Sequence, residues 1–343
     1  MKKIMLRLHE KITTNIAKRF HNLLAENPIT LVDVGAANGT LSNFSIFGKC
    51  LRTVGFEPNK EAHDKLIGLQ DKNTIILNTA LADKQGEAEF FITKKPEASS
   101  LLQANKKFLK NFSGTDRYNV VQTVQLKVDT MDGAPISNKI NNVDFVKLDT
   151  QGNELNILKH GKKTMAGCFG VQIEVEFYQL YENQFVFSDI DAFMREQGYL
   201  LFDLQPAYWK RTAGLPYGRP KGQLIWADAL YFKDPDVFFE QIRQMSDADK
   251  FLKSLKAVLM LACYGYIDTA LAITEALRKT VKDGEVQKDI SVVEKELKKK
   301  HFSYFLRNLP FRNALAAIAY HVYKALRFEP KNHIIRDRDI GNL

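Results

Sequence analysis

Residues 31–59 read LVDVGAANGTLSNFSIFGKCLRTVGFEPN, and this stretch decides the fold. An apolar run through Leu31, Val32 and Val34 surrounds Asp33 and leads into a turn bounded by Gly35 and Gly39. A second apolar run, Leu51 to Phe56, ends in Glu57. Strand, glycine-rich turn, helix, strand and acid, in that order, are half of a nucleoside-binding α/β fold. The glycines permit tight turning and let a ligand approach the main chain. An acid after the second strand can accept both hydroxyls of a ribose.

Two cofactor classes use this geometry. A dinucleotide site wants G-x-G-x-x-G, in which the backbone and a helix N-terminus hold a pyrophosphate. Here Ala37 occupies the middle glycine's place, and Asp33 opens the turn. S-adenosylmethionine carries no phosphate; it carries a positive sulfonium and an amine, so an acid beside the turn suits it. The turn therefore favours S-adenosylmethionine over a nicotinamide dinucleotide, which would make the chain an oxidoreductase. A tight turn with no ligand is the plainer alternative.

The chain has 343 residues, 45% hydrophobic and 26% charged, the composition of a globular protein with one large core plus an appendage, or two domains. Cys50, Cys168 and Cys263 are scattered and odd in number, which gives no disulfide framework or zinc spacing and points to a reducing, cytoplasmic setting. No apolar run reaches the roughly 18 residues that a membrane span needs. The formal charge of +9 is a mild bias toward acidic glycans, anionic lipid or nucleic acid without choosing among them, and no nucleic-acid partner is expected.

Three regions follow from periodicity. Over 1–28, apolar residues at Ile4, Leu8, Ile12, Ile16, Phe20 and Leu24 make one amphipathic helix, to be packed on the catalytic domain or laid on a membrane. Over 29–235, strands are expected near 30–34, 52–56, 74–77, 88–92, 122–128, 143–149, 169–177, 198–205 and 223–233, the fourth and fifth as additions to a parallel sheet. Over 236–343, a basic α-helical extension opens with a helical hairpin broken at Tyr264-Gly265. Its segment 297–331 has eight Lys/Arg and one acid around an apolar stripe. Such a segment docks on the protein with a solvated face, or lies peripherally on an anionic membrane.

The chemistry-bearing acids cluster late in the sheet. VDFVKLDTQGNELNIL (143–158) puts Asp149 just past a strand's carboxyl end, where α/β sheets bind ligands. Glu154 there suits a helix N-terminus. Glu174 and Glu176 share one face of the next strand. With Asp149 they can take a proton from a hydroxyl or hold a divalent cation, and pairing with Lys147 or Arg195 is the structural alternative. The absence of a histidine cluster argues against a transition metal, and His63 and His160 read as surface residues. Ser99 and Ser100 offer adjacent hydroxyls to a substrate, or cap a helix. The loop 206–222, with Trp209, Lys210 and Arg211, reads as a lid that stacks on sugars and meets anions.

Taken together, DVGAANG (33–39), FEPN (56–59), N-x-A-L-A-D (78–83), Ser99-Ser100, T-M-D (130–132) and KLDTQGNELNIL (147–158) resemble the FkbM family of S-adenosylmethionine-dependent O-methyltransferases. EVEFYQLYENQFVFSD (174–189) with GYLLFDL (198–204) is similar to the version found among bacterial surface-glycan methyltransferases. One departure is Ala37, where the family usually has asparagine; here Asn38 follows. The resemblance covers roughly 30–233 and leaves the extension out. It implies a Rossmann-like, class I methyltransferase sheet and methyl transfer to a sugar hydroxyl in surface polysaccharide or glycolipid assembly. A small secondary metabolite is the alternative acceptor. It implies that Asp33, Gly35, Ala36, Asn38 and Gly39 surround the cofactor's methionine, that Glu57 holds the ribose, and that Asn78 and Asp83 lie near the adenine. Asp149, Glu174 and Glu176 would orient and deprotonate the acceptor.

Overall fold

In the computed structural model, residues 2–36, 41–68, 71–133, 142–217, 222–299, 311–326 and 334–335 are described. The N-terminal apolar periodicity forms two helices, α1 (Lys2–Arg19) and α2 (His21–Glu26), rather than the single helix expected. Phe20 leaves helical geometry between them, with φ −105° and ψ 27°. Ile12, Ile16, Phe20 and Leu24 are buried, so the apolar stripe packs on the body from Ile12 onward.

β1 (Ile29–Val34) is buried at all six positions, as a strand covered on both faces requires. It pairs in parallel with β2 (Leu51–Phe56), which pairs in parallel with β3 (Thr74–Leu77). The expected helix between β1 and β2 is instead a 3-10 stretch, Ser42–Cys50, kinked at Gly48 (φ 50°). Short polar side chains that compete for backbone hydrogen bonds, and the glycine, oppose a regular helix there. α3 (Lys60–Ile67) crosses from β2 to β3 and is capped by Asn59, whose side chain accepts from Ala62 N.

β4 (Ala80–Leu81), β5 (Gly86–Thr93) and β6 (Val120–Asp129) form a sheet of their own, in the order β4–β6–β5. The expectation that the residues of β5 and β6 extend the main sheet is corrected here. Only four of the eighteen positions of these two strands are buried, whereas a strand inside the parallel sheet would be covered on both sides. α4 (Lys106–Leu109) lies between β5 and β6.

β7 (Phe145–Leu148) returns to the other side of β1, so strand order reverses at β1. α5 (Glu154–Lys159) and α6 (Lys162–Ala166) lead to β8 (Gly170–Glu176), parallel to β7. α7 (Phe187–Glu196) then leads to the antiparallel pair β9 (Tyr199–Trp209) and β10 (Gln223–Lys233), with β10 inserted beside β8. The hairpin expected over 198–233 is therefore present, and β9 runs four residues further than the sequence suggests. Pro206 and the following cations read as a loop, but Ala207 and Trp209 are buried on the alternate positions of a strand.

α8 (Pro235–Ile242), α9 (Asp247–Tyr264), α10 (Ile267–Thr280) and α11 (Gly284–Leu297) make the extension helical, as expected. Gly265, at φ 94°, closes α9 in the left-handed conformation that makes the hairpin. α1, α9, α10 and α11 share one hydrophobic cluster with Phe145 and Phe232 of the sheet. The join is also polar. Lys256 of α9 is buried and donates to Asp144 Oδ2 and to Pro28 O, both at 2.8 Å. The boundary at 235/236 is thus a change of secondary structure and not a gap between two cores. α12 (Arg312–Leu326) follows, and β11 (Ile334–Ile335) pairs with β9.

Candidate active site

The carboxyl ends of β1, β2 and β7 are stitched together. Gly35 N donates to Phe56 O, and Asp149 N to Val34 O, each at 3.0 Å. Gly35 has φ +83°, and a Cβ built on it would lie 1.9 Å from Asp149 O. Only glycine permits this crossing. Lys147, from β7, donates to Asp33 Oδ1 at 3.2 Å and lies 3.8 Å from Asp149 Oδ2. Burial pushes the Asp33 carboxyl up to about 6, against the opposing pull of Lys147. Burial pulls the Lys147 ammonium down, but the Asp33 and Asp149 carboxylates outweigh it and the net direction is up.

Above this junction opens a cavity of about 370 Å³. Its nucleoside side carries Gly35, Glu57 and Asn59, with Ala80, Leu81 and Phe90 as apolar wall. Glu57 Oε1 accepts from Asn59 N at 2.8 Å, which fixes the carboxylate and leaves its other oxygen for a ligand. Burial raises the Glu57 pKa. The lining also carries Asp149, beside Gly35, and Glu174 and Asp228. Asp228 stands directly across the β8–β10 pair from Glu174. Burial, then Asp149 and Asp228, push Glu174 well above the usual carboxylate range.

Gln151 organises this acidic side. Its Nε2 donates to Asp149 Oδ1 at 3.0 Å and to Glu174 Oε1 at 2.6 Å. Its Oε1 accepts from the Tyr181 hydroxyl at 2.8 Å, which fixes the amide's direction. The backbone at Gln151 is left-handed (φ 59°), a conformation unusual for a residue with a side chain. Two contacts hold it. Ser100 Oγ donates to Gln151 O at 2.8 Å, and Glu154 accepts from Thr150 N at 2.7 Å and from Gly152 N at 3.0 Å. Glu154 is thus the acid that closes the turn before α5, its structural reading.

The other sequence-derived residues divide. Asp33 is buried in its ion pair behind the cavity wall, and among the described residues its Oδ2 has no hydrogen-bond partner. Ala36 is buried beside the turn, and Asn38 and Gly39 lie outside the described residues. Asn78 is exposed and donates to Glu57 O and Pro58 O, which braces the acid-bearing loop from outside. Asp83 is exposed and does not line the cavity. Glu176 is buried beyond the cavity, its Oε2 without a partner and its pKa pushed well up by burial and by Glu154 and Glu174. Ser99 lines the cavity, but its Oγ accepts from Thr93 N at 3.1 Å; Ser100 is committed to Gln151. The lid expected over 206–222 is corrected at its start. Trp209 and Lys210 are buried, and Trp209 packs edge-on against Phe112 with the Arg117 guanidinium 4.7 Å from its ring. Arg211 is exposed and donates to Gln223 Oε1. None of the three lines the cavity. Of the expected structural pairings, Lys147 is engaged with the acids, while Arg195 pairs with Asp191.

Sequence reasoning missed Gln151, Asp228, Trp226 and Arg117, all of which line the cavity. Asp228 and Trp226 sit inside an apolar strand read only as structure. The sole signal was a carboxylate inside a buried strand, the same rule that picked out Glu174. Among the described residues, no group of three or more His, Cys, Asp or Glu side chains could hold a metal ion.

Residues 33–201 match the methyltransferase FkbM domain, the span that contains the glycine turn, Glu57, Gln151 and Glu174. These residues are an FkbM methyltransferase domain. The chain is therefore an S-adenosylmethionine-dependent methyltransferase, and the nicotinamide alternative falls away. No curated protein matches the sequence. Among solved structures, it is similar to a precorrin-6y C5,15-methyltransferase from Geobacter metallireducens, at 10% identity over 60% of this chain and 81% of that one (TM-score 0.29). It is also similar to magnesium protoporphyrin IX methyltransferase from Synechocystis with bound S-adenosylmethionine, at 9% identity over 65% and 79% (TM-score 0.31). The third is TrmK of M. capricolum with S-adenosylhomocysteine, at 12% identity over 80% and 95% (TM-score 0.29). These likenesses are loose, and the family rests on the domain match.

The donor set fits the cofactor. A fixed carboxylate at the end of β2 suits a ribose diol, the apolar wall suits an adenine, and a carboxylate-lined floor suits a sulfonium and an amine.

Proposed function

We propose that this methyltransferase is an O-methyltransferase whose acceptor is a sugar hydroxyl, in surface polysaccharide or glycolipid assembly. The observation that carries the reading is the acidic wall of Asp149, Glu174 and Asp228 lining the same cavity as the nucleoside side, with Gln151 holding the first two apart. A hydroxyl is a poor nucleophile until its proton leaves, and a carboxylate at hydrogen-bond distance accepts that proton. The resemblance of 174–189 to surface-glycan enzymes supports the sugar. Three free cysteines suit a cytoplasmic site.

S-adenosylmethionine, when bound, supplies an electrophilic methyl carbon. Glu57 would hold its ribose and Gly35 would let it approach the main chain. Asp149, tied to Lys147 and Gln151, would accept the acceptor's proton as its oxygen takes the methyl group and the sulfur–methyl bond breaks to leave a neutral thioether. Glu174, held toward its neutral form, donates a hydrogen bond that orients the acceptor. Alignment within the cavity supplies most of the rate, and the base adds about 10²–10⁴-fold.

The test is incubation with labelled cofactor and panels of glycans and small hydroxylated metabolites, with products identified by mass spectrometry. An O-methyl sugar is the expected product. Asp149→Asn should lose at least about a hundredfold in turnover while still binding S-adenosylhomocysteine. A nitrogen- or carbon-methylated product, or an O-methyl product from the metabolites alone, would contradict the assignment.

A further inference from the structure

α12 does not pack as a docking helix. Every side chain from Phe311 to Val322 is exposed, on all sides of the helix. Phe311 is 82% exposed, Leu315 and Ile318 are 61%, and Val322 is 51%. Leu315, Ile318 and Val322 recur at steps of three and four, which places them in one stripe along the helix, and Phe311 precedes it at φ 63°. Arg312, His321 and Lys324 fall off that stripe, and the helix contains no acid. A solitary helix of 15 residues in water is marginal, so an unsupported one with an apolar stripe calls for an apolar surface to lie on.

We propose that α12 docks the enzyme on an anionic lipid surface, lying in the interface plane. Charge selects lipid over a second copy of the chain. Segment 297–331 holds eight Lys/Arg against one acid, so two copies of it would repel, whereas anionic headgroups would attract it. Length selects lying over crossing. At 1.5 Å per residue α12 spans about 22 Å, short of the roughly 30 Å hydrocarbon core. Among the described residues no helix is long and apolar enough to cross a membrane. The stripe would sink to the acyl boundary while the cations of the basic segment meet the headgroups.

The full-length protein is sedimented with vesicles of phosphatidylcholine alone or with phosphatidylglycerol added. The expected result is co-sedimentation with the anionic vesicles only, released by high salt. Leu315→Glu with Ile318→Glu should lower that partitioning at least about tenfold. Because both side chains are exposed, this variant should keep the wild-type melting curve. Arg312→Glu with Lys324→Glu should weaken binding in the same direction. Absence of wild-type binding to anionic vesicles would overturn the proposal. So would equal binding by the double glutamate variant, or a shift from dimer to monomer on that substitution in sedimentation velocity, which would make the occupant a second copy.

Discussion

Gln151 carries more of the candidate site than its chemistry suggests. An amide cannot act as a base, yet its two donors are spent on two carboxylates that would otherwise repel. Its bond to Glu174 favours the ionised form, against the burial that pushes that carboxyl up. Removing it as Gln151→Ala should therefore raise the Glu174 pKa further. If Glu174 titration sets the alkaline limb of the pH–rate profile, that limb should move to higher pH with a fall in kcat. An unchanged limb would assign it to another group. Asp33 gives a second expectation. Its pKa is raised from 3.8 to about 6, so the fold prefers its neutral form. The stability it contributes is fully present below its ordinary value and is lost as pH rises through about 6. Asp33→Asn removes the titration. The unfolding free energy of the variant should gain on that of the wild type by roughly 2 kcal/mol between pH 4 and pH 7. Urea melts at the two pH values would show it, and a pH-independent difference would refute it. The identities of Asp33, Glu57, Asp149 and Glu174 were readable from strand ends and strand faces. The role of Gln151 was not, because it depends on a left-handed backbone held by Ser100 from a distant part of the chain together with Glu154 in the same turn.

The β1 turn and the β7 end must be considered as one unit, since Gly35 crosses directly over Asp149. Gly35→Ala would place a methyl against a backbone carbonyl at positive φ. It should destabilise the protein by at least about 2 kcal/mol and abolish cofactor binding, as chemical denaturation and titration would report. A variant of wild-type stability would mean that the strand ends do not meet as described. Strands were the most legible elements, because buried β-branched runs bounded by turn residues admit few other readings. Connections were less so. The segment after β1 looked long enough for a helix and became a kinked 3-10 stretch, and β9 continued through Pro206 because tertiary burial of Trp209 outweighed local turn signals. The outcome displaces the sugar-stacking role expected of Trp209, whose ring lies inside the protein.

The whole chain folds around a sheet whose two faces serve different ends. One cluster joins α1 and the extension to Phe145 and Phe232, and Lys256 ties α9 to Asp144 just before β7. Asp144 also accepts from Thr30 N at 2.9 Å, so the tie reaches β1 as well. Lys256→Met should leave a buried carboxylate short of its partner and cost about 3 kcal/mol. The loss should appear in a single cooperative transition of the whole chain, by calorimetry and circular dichroism alike. Two separated transitions, with only one moved, would show an extension that folds by itself. Composition revealed that the last third was helical and basic. It did not reveal that residues up to Leu297 complete the catalytic sheet's core, because apolar periodicity states which face is buried and not against what.

The central claim is that the junction of β1, β2 and β7 is the cofactor site, with the acceptor's acids lining the same cavity. Calorimetric titration with S-adenosylhomocysteine tests it on the wild type, Glu57→Ala and Asp149→Asn together. Wild type and Asp149→Asn should bind alike, and Glu57→Ala at least about tenfold more weakly, from loss of hydrogen bonds to a charged group. Equal binding by Glu57→Ala, or no binding by a folded wild type, would contradict it.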